Sequence, residues 1–288
     1  MYRYERAVAV FLSSFFYPYF MNKILIATDY SPAAQNAAAY ALELARALDA
    51  SLELVHAYVI PFAYTDSPVP LLNIDEIQKI AEESMEAELD RLRKLSPASR
   101  ITTRILPGDI IDCLTEIIQE APPVLVVMGT SGQGSDSILW GSMAVKALRN
   151  LKAPVLAIPA DVRWQPVTRI CFAADYDQVS EHTPAAEIIR WVQLLDASVE
   201  VIHVDKPEQA VTPPPLLVQM LEPVRPRYHA IINENIEGGV AEFLQEHKIG
   251  WLLVIPKKYG FFENLFHKSR TKLLTQVSNV PVLALHQE

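Results

Sequence analysis

Two stretches of this chain are copies of one another, and no other feature restricts its architecture as much. KILIATDYSPAAQNAAAYALELARALDASLELVHAYV, residues 23–59, parallels RICFAADYDQVSEHTPAAEIIRWVQLLDASVEVIHVD, residues 169–205. Asp29-Tyr30 matches Asp175-Tyr176, Leu48-Asp49-Ala50-Ser51 matches Leu195-Asp196-Ala197-Ser198, and His56 matches His203. The offset is 146 at the acid and 147 at the histidine, which places one inserted residue in the intervening helix. The ends agree as well, APVLAIP at 153–159 against VPVLALH at 280–286. A long internal repeat is read as one fold used twice. The expected division is an N-terminal extension at 1–20, a first domain at 21–160, a linker at 161–168 and a second domain at 169–288.

Each half alternates short apolar runs with helical stretches. In the first half, strands are expected at 23–28, 51–58, 101–106, 123–128 and 154–158, and helices near 31–48, 74–95, 109–120 and 142–151. The strand runs are continuously apolar, as in strands covered on both faces. Strand-helix alternation then predicts an α/β fold with a doubly wound, parallel, Rossmann-like sheet in each half. Ser31-Pro32 supports the first helix start, with Ser as cap and Pro at the first helical position. The second half has a shorter, Pro-rich counterpart of the 74–95 helix around Thr212–Pro226.

The net charge of −9 gives no general grip on nucleic acid or anionic membrane, so neither is expected as a partner. Cys113 and Cys171 each sit in an apolar run with no paired spacing, so neither a disulfide framework nor a metal site is expected, and a reducing cytoplasm fits. The first twenty residues, MYRYERAVAVFLSSFFYPYF, resemble a signal peptide faintly, but Glu5 interrupts the charges and no small-x-small cleavage site follows. The stretch is short for a membrane span, and Met21 reads as a natural start leading straight into a strand.

In open parallel sheets, ligands bind past the carboxyl ends of the strands at the switch in strand order. Asp29 ends the first strand, His56-Ala57 the second, and MGTSGQGSDSILWGS, residues 128–142, follows the fourth. Asp29 can accept hydrogen bonds from ribose hydroxyls, and main-chain groups near Ala57 can face an adenine edge. Gly129 and Gly132 would let backbone approach phosphates, and Gly141-Ser142 opens a helix whose amides and dipole favour an anion. Each feature also has a plain structural use: Asp29 as a helix cap, His56 as packed structure, the glycines as turn formers, Ser142 as an N-cap. The dinucleotide pattern is absent after the first strand, and no P-loop pattern or phosphorylated-receiver acid pair is present.

With these residues in view, the chain from Met21 onward resembles the universal stress protein family, as a tandem pair of family domains. The motifs are ILIATDYS, LELVHAYV, Gly108-Asp109 before a helix, and VVMGTSGQGSDSILWGSMAVKALRNLKAPVLAIP. Nucleotide-binding members show Gly-x-x-Gly, nine residues, then Gly-Ser/Thr; here eight residues separate Gly132 from Gly141. The resemblance implies contacts to ATP or another adenine nucleotide, with Mg2+ as an optional companion, from Ala27, Thr28, Asp29, Ala57, Met128, Gly129, Gly132, Gly141, Ser142 and Met143. It implies a stress-response or signalling module in the cytoplasm, with no catalytic residues assigned and at most slow ATP hydrolysis.

The second copy lacks the glycines. Aligning WLLVIPKKYGFFENLFHKSRTKLLTQVSNVPVLAL by its last strand puts Lys268 at the position of Gly141, and Gly260 is the only glycine left in the loop. One nucleotide per chain is therefore expected, in the first half. Two rival readings stand beside this one: an interaction protein in which neither half binds nucleotide, and an enzyme of the adenine nucleotide α-hydrolase group. The apolar terminal strands, APVLAIP and VPVLALH, are expected to pair antiparallel as an internal pseudo-dimer, so that neither is left as an open edge. That pairing leaves room for a homodimer of the whole chain, and a proline at Leu156 is expected to break it.

Overall fold

The computed structural model describes residues 22–60, 74–130, 141–205, 212–232, 236–256 and 279–286. The first half runs β1 (Lys23–Ala27), α1 (Pro32–Ala47), β2 (Ser51–Tyr58), α2 (Ile74–Leu95), β3 (Ile101–Pro107), α3 (Ile110–Glu120), β4 (Leu125–Gly129), α4 (Ser142–Asn150) and β5 (Val155–Ile158). The second runs β6 (Arg169–Ala173), α5 (Ala185–Leu194), β7 (Ser198–Asp205), α6 (Pro215–Leu221), β8 (Arg227–Ile232), α7 (Ile236–Glu246), β9 (Trp251–Val254) and β10 (Val282–Ala284). Expectations about residues 1–20 and about the loop around Gly260 lie outside the described residues.

The strands form a single ten-stranded sheet in the order β3-β2-β1-β4-β5-β10-β9-β6-β7-β8. Read inward from its outer edge, each half has the same order, and every pairing within a half is parallel. The halves meet where β10 pairs antiparallel with β5, Val282 opposite Ala157, Leu283 opposite Leu156 and Ala284 opposite Val155. The terminal edges thus close on each other, as their apolar sequences require.

The proline expectation needs correction. Val126 N donates to Pro154 O, and Thr130 N donates to Ile158 O. Peptide groups alternate in direction along a strand, so residues 154, 156 and 158 direct theirs at β4, and Val155 and Ala157 face β10. A proline at Leu156 would damage the first half's own sheet; the seam is reached at Ala157.

Helices cover both faces. One buried cluster joins Ile24, Ile26, Leu52 and Leu54 to Ala41 and Leu44 of α1 and Leu92 of α2, and continues into Phe172, Trp191 of α5, Leu217 of α6 and Trp251. The opposite cluster joins Leu25, Val55 and Val126 to Leu114 of α3 and Leu148 of α4, and continues into Cys171, Leu252, Val282 and Phe243 of α7. Both clusters cross the seam, so each face has one continuous core.

The best-matched part of the repeat is a helix stop. Asp49 and Asp196 are left-handed, with φ 48° and 49°. The amide of the next residue then reaches back to the last turn, Ala50 N to Ala45 O at 2.8 Å and Ala197 N to Val192 O at 3.0 Å. This is the Schellman closure, which satisfies carbonyls a helix end would otherwise leave unbonded. Ser51 and Ser198 follow directly into strands whose first amides bond Asn22 O and Thr168 O.

The helix of the second copy departs from expectation. α1 starts three residues after Asp29, capped by Ser31 with Pro32 at its first position. Its counterpart α5 starts at Ala185, and a single 3-10 turn, Tyr176–Gln178, matches Tyr30–Pro32, the turn that leads into α1. Pro184 sits at the N-cap of α5 and drives Thr183 out of the helical region, so the helix cannot extend upstream.

Unlike residues tie the halves together. Trp251 Nε1 donates to Tyr40 Oη at 2.8 Å, both side chains buried. Trp251 packs on Trp191, ring centroids 5.6 Å apart, and Trp164 meets Tyr40 edge-on at 5.1 Å. Buried Asn36 of α1 holds the connecting segment, donating to Pro159 O and Val162 O at 3.0 and 2.8 Å and accepting from Arg163.

Candidate functional site

The strand order reverses direction between β1 and β4, so their carboxyl ends flank the crevice where a parallel sheet accepts ligands. Thr28-Asp29 leaves β1, His56-Ala57-Tyr58 closes β2, Met128-Gly129 closes β4, and α4 begins at Ser142 beside them. Nine of the ten residues singled out from the sequence thus come to one edge; Gly132 lies outside the described residues. Ala27, Thr28 and Met128 are buried, so their main chain is what they can offer a ligand, whereas Asp29, Ala57 and Met143 are half-exposed and Ser142 is exposed.

The turn after β1 is tightly specified. Ser31 N donates to Asp29 Oδ1 at 3.0 Å, and Ala34 N to Ser31 Oγ at 3.2 Å, so Asp29 and Ser31 together start α1. Tyr30 between them is left-handed, φ 61°, an uncommon state for a bulky residue that must be held by its surroundings. Its amide donates to Thr28 Oγ1 at 3.0 Å, its hydroxyl donates to Ala81 O of α2 at 3.1 Å, and its ring lies 4.5 Å from that of His56. Burial, followed by the charge of Glu88, pushes the Tyr30 phenol well above its usual range, so it stays protonated and remains a donor.

His56 Nδ1 lies 2.8 Å from Thr28 O, a carbonyl that can only accept, so Nδ1 carries the proton. The second half repeats this pair: His203 Nδ1 meets Ala174 O at 2.9 Å, and its ring stacks on Tyr176 at 4.1 Å with 6° between planes. The histidine that the repeat retains is therefore a clip between two strand ends, and the tyrosine after each aspartate is the surface it packs against. The matched Asp-Tyr and His of the two copies carried that signal, and the left-handed Tyr30 was not legible from it.

Gly129 has a packing reason as well as a binding one. A Cβ there would come within 2.8 Å of the Ala33 carbonyl carbon and oxygen, so a side chain would push α1 off β4. Gly141, not Ser142, is the N-cap of α4, and its amide donates to Thr130 O. Ser142 is the first helical residue, and its amide and those of Met143 and Ala144 precede any acceptor within the helix. No side chain among the described residues caps this end. Asp109, one of the residues that carry the family resemblance, caps α3 by accepting from Ile111 N at 2.8 Å, after Gly108 with φ 130°.

Among the described residues, no group of three or more His, Cys, Asp or Glu is placed to hold a metal. Cys113 and Cys171 are both free and buried, and burial raises both thiols. No helix of the described residues is long and apolar enough to cross a membrane.

The model of the universal stress protein family matches residues 21–159. A universal stress protein of Methanocaldococcus jannaschii is 32% identical over 141 residues, covering 48% of this chain and 81% of that protein. The chain belongs to the universal stress protein family. Among solved structures, a universal stress protein from Archaeoglobus fulgidus DSM 4304 matches with a TM-score of 0.69 at 15% identity, covering 94% of this chain and 100% of that one. A functionally unknown protein from Pseudomonas aeruginosa PAO1 matches with a TM-score of 0.53 at 14% identity, covering 93% of each chain. At these identities the two structures establish a shared fold. Both matches cover more than nine-tenths of this chain, whereas the family model ends at residue 159.

Proposed function

We propose that the first half binds an adenine nucleotide at the carboxyl edge of β1, β2 and β4, and that the protein is a nucleotide-responsive stress or signalling module. In this reading residues 21–160 are one family domain, and residues 169–288 are a diverged copy that serves as its structural or regulatory partner. What supports it is the convergence of Asp29, the Ala57 main chain, Gly129 and the start of α4, which no described side chain caps, on one side of the strand-order switch. Asp29 offers a charged acceptor for ribose hydroxyls, the β2 end offers main-chain groups to the base, and α4 offers amides and a positive dipole end to phosphate. ATP is the ligand the family motifs imply, with Mg2+ as an optional companion. The second half departs from the first where it is described, α5 starting at Ala185, well after Asp175, and the sequence matching the glycine segment, which lies outside the described residues, keeps only Gly260.

A second reading is favoured by one specific contact. The close approach of Gly129 to Ala33 accounts for that glycine without any ligand, as in a protein whose halves serve only to bind other proteins. Mass spectrometry of small molecules released from the purified chain, followed by calorimetry, separates the two. An adenine compound bound at one per chain is expected. Absence of any adenine ligand, together with no heat on titration, sinks the nucleotide reading; two equivalent sites sink the asymmetry.

A further inference from the structure

The last strand of the chain leads into an ionisable ring pressed against the other half. His286 lies two residues past the end of β10, after Leu285, whose amide donates to Val254 O. Both of its ring nitrogens are buried, and neither has a hydrogen-bond partner among the described residues. The repeat matches this position to Pro159, whose side chain has no proton to exchange, so the arrangement exists on one side of the seam only.

The ring's neighbours belong to the first half. They are the carbonyls of Leu148 and Arg149, in the last turn of α4, and of Ala153 just beyond it. A helix leaves its last carbonyls without partners of its own; here Leu151 N takes up Ala147 O, and those of Leu148 and Arg149 follow it. The three carbonyls lie near enough to favour a proton on the ring, yet outside hydrogen-bond geometry. Burial outweighs them and holds the imidazole below its usual value of 6.5, so the ring is neutral at pH 7. The surrounding elements supply no carboxylate to pair with a charged form. Lys146, Arg149 and Lys152 are the ionisable side chains of α4 and the turn after it, all exposed, and β5 and β9, which flank β10, carry none.

We propose that His286 makes the join between the halves acid-sensitive: proton uptake at this ring drives the end of the chain away from α4 and loosens β10 from β5. A charged group is tolerated in an interior only when it is paired and hydrogen-bonded, and an imidazolium has two donors to satisfy. The described surroundings meet neither need, so the charged ring is better accommodated in water. β10 is three residues long and serves both cores, Leu283 on one face and Val282 and Ala284 on the other, so its release opens the seam on both sides. The sign follows from proton counting. Below about pH 6.5 the unfolded chain takes up a proton that the folded chain resists, so the contribution to stability is complete above that pH and is lost as pH falls below it. This inference stands whether or not the first half binds a nucleotide.

Magnetic resonance and unfolding of the full chain test this. The imidazole signals of His286, identified by their loss in H286N, should titrate in the folded parent below the usual histidine range. In urea unfolding between about pH 7.5 and 5.5, the folded-to-unfolded ratio of the parent should fall about five- to tenfold more than that of H286N, since the other histidines are common to both. H286F, which keeps the site filled without a proton to exchange, should behave as H286N does. Amide exchange in β5 and β10, corrected for its intrinsic rate, should show more opening at the lower pH in the parent and no such change in the variants. The inference is overturned if the folded ring titrates at or above its usual value, if both variants keep the full pH dependence of the parent, or if exchange in β5 and β10 ignores pH in the parent.

Discussion

At the scale of single residues, Asp29 fixes the turn before α1, and one substitution separates that task from the nucleotide contact proposed for it. Asp29→Asn keeps an oxygen for Ser31 N and so keeps the start of α1, but removes the charge offered to a ribose. It should weaken nucleotide binding by about 1–3 kcal/mol with little change in melting temperature, read by calorimetry and thermal unfolding. Asp175→Asn should change neither the affinity nor the stoichiometry; equal losses at both positions would mean that both copies bind. Glu53 is a different case. It is buried in β2, and burial alone would raise its carboxyl, but hydrogen bonds and charge from Lys23, and the charge and hydrogen bond of Arg104, hold it below its usual value of 4.5. A carboxyl depressed in the folded state contributes stability above its unfolded pKa and loses it as pH falls through the folded value. Glu53→Gln should therefore cost about 1–3 kcal/mol at neutral pH and flatten the loss of stability below pH about 4.5, followed by denaturant unfolding across pH. Glu200 occupies the matching position in β7, where Arg227 and His229 replace the partners. The sequence showed both glutamates within apolar strands, but their partners sit on the neighbouring strands β1, β3 and β8, and only strand register brings these across.

At the scale of elements, nearly every helix and strand of the first half was legible, because apolar periodicity, Ser-Pro at the start of α1 and Asp after Gly108 are local signals. The late start of α5 was not, because the one inserted residue suggested a longer helix, and the effect of Pro184 outweighed the apolar pattern before it. The left-handed Asp49 and Asp196 offer an element-level test. Both stop a helix in a conformation that glycine adopts without strain, so Asp196→Gly should stabilise the chain by about 0.5–1 kcal/mol, seen as a small rise in melting temperature. A fall would mean that the Asp196 side chain makes a contribution beyond the turn. The strand pairing gives a sharper contrast. Ala157→Pro removes a donor that faces β10, whereas Leu156→Pro removes one that faces β4. Scattering should show the two halves separating in the first variant, while the second should lose first-half structure; the reverse outcome would refute the assigned register. The glycine segment was legible as a motif, but the contact of Gly129 with Ala33 is tertiary and left no mark in the spacing.

At the scale of the whole molecule, both cores run through the seam, so the two halves should unfold together. A single transition is expected in calorimetry, with calorimetric and van't Hoff enthalpies in agreement, and two resolved transitions would show that the seam is weak. Tyr40→Phe should cost about 1–3 kcal/mol by leaving the buried Trp251 Nε1 without its acceptor. The pairing of the terminal strands was legible because each is apolar and would otherwise be an open edge; the Tyr40–Trp251 bond was not, because it joins positions that the repeat does not relate. That mismatch has an evolutionary consequence. In an assembly of two identical chains, any substitution at the contact is imposed on both sides at once, and a residue that suits one side must be tolerated on the other. Here each position is inherited on its own. A change at Tyr40 is felt once, the far side is free to answer it, and each half can diverge without forcing the same change on its neighbour.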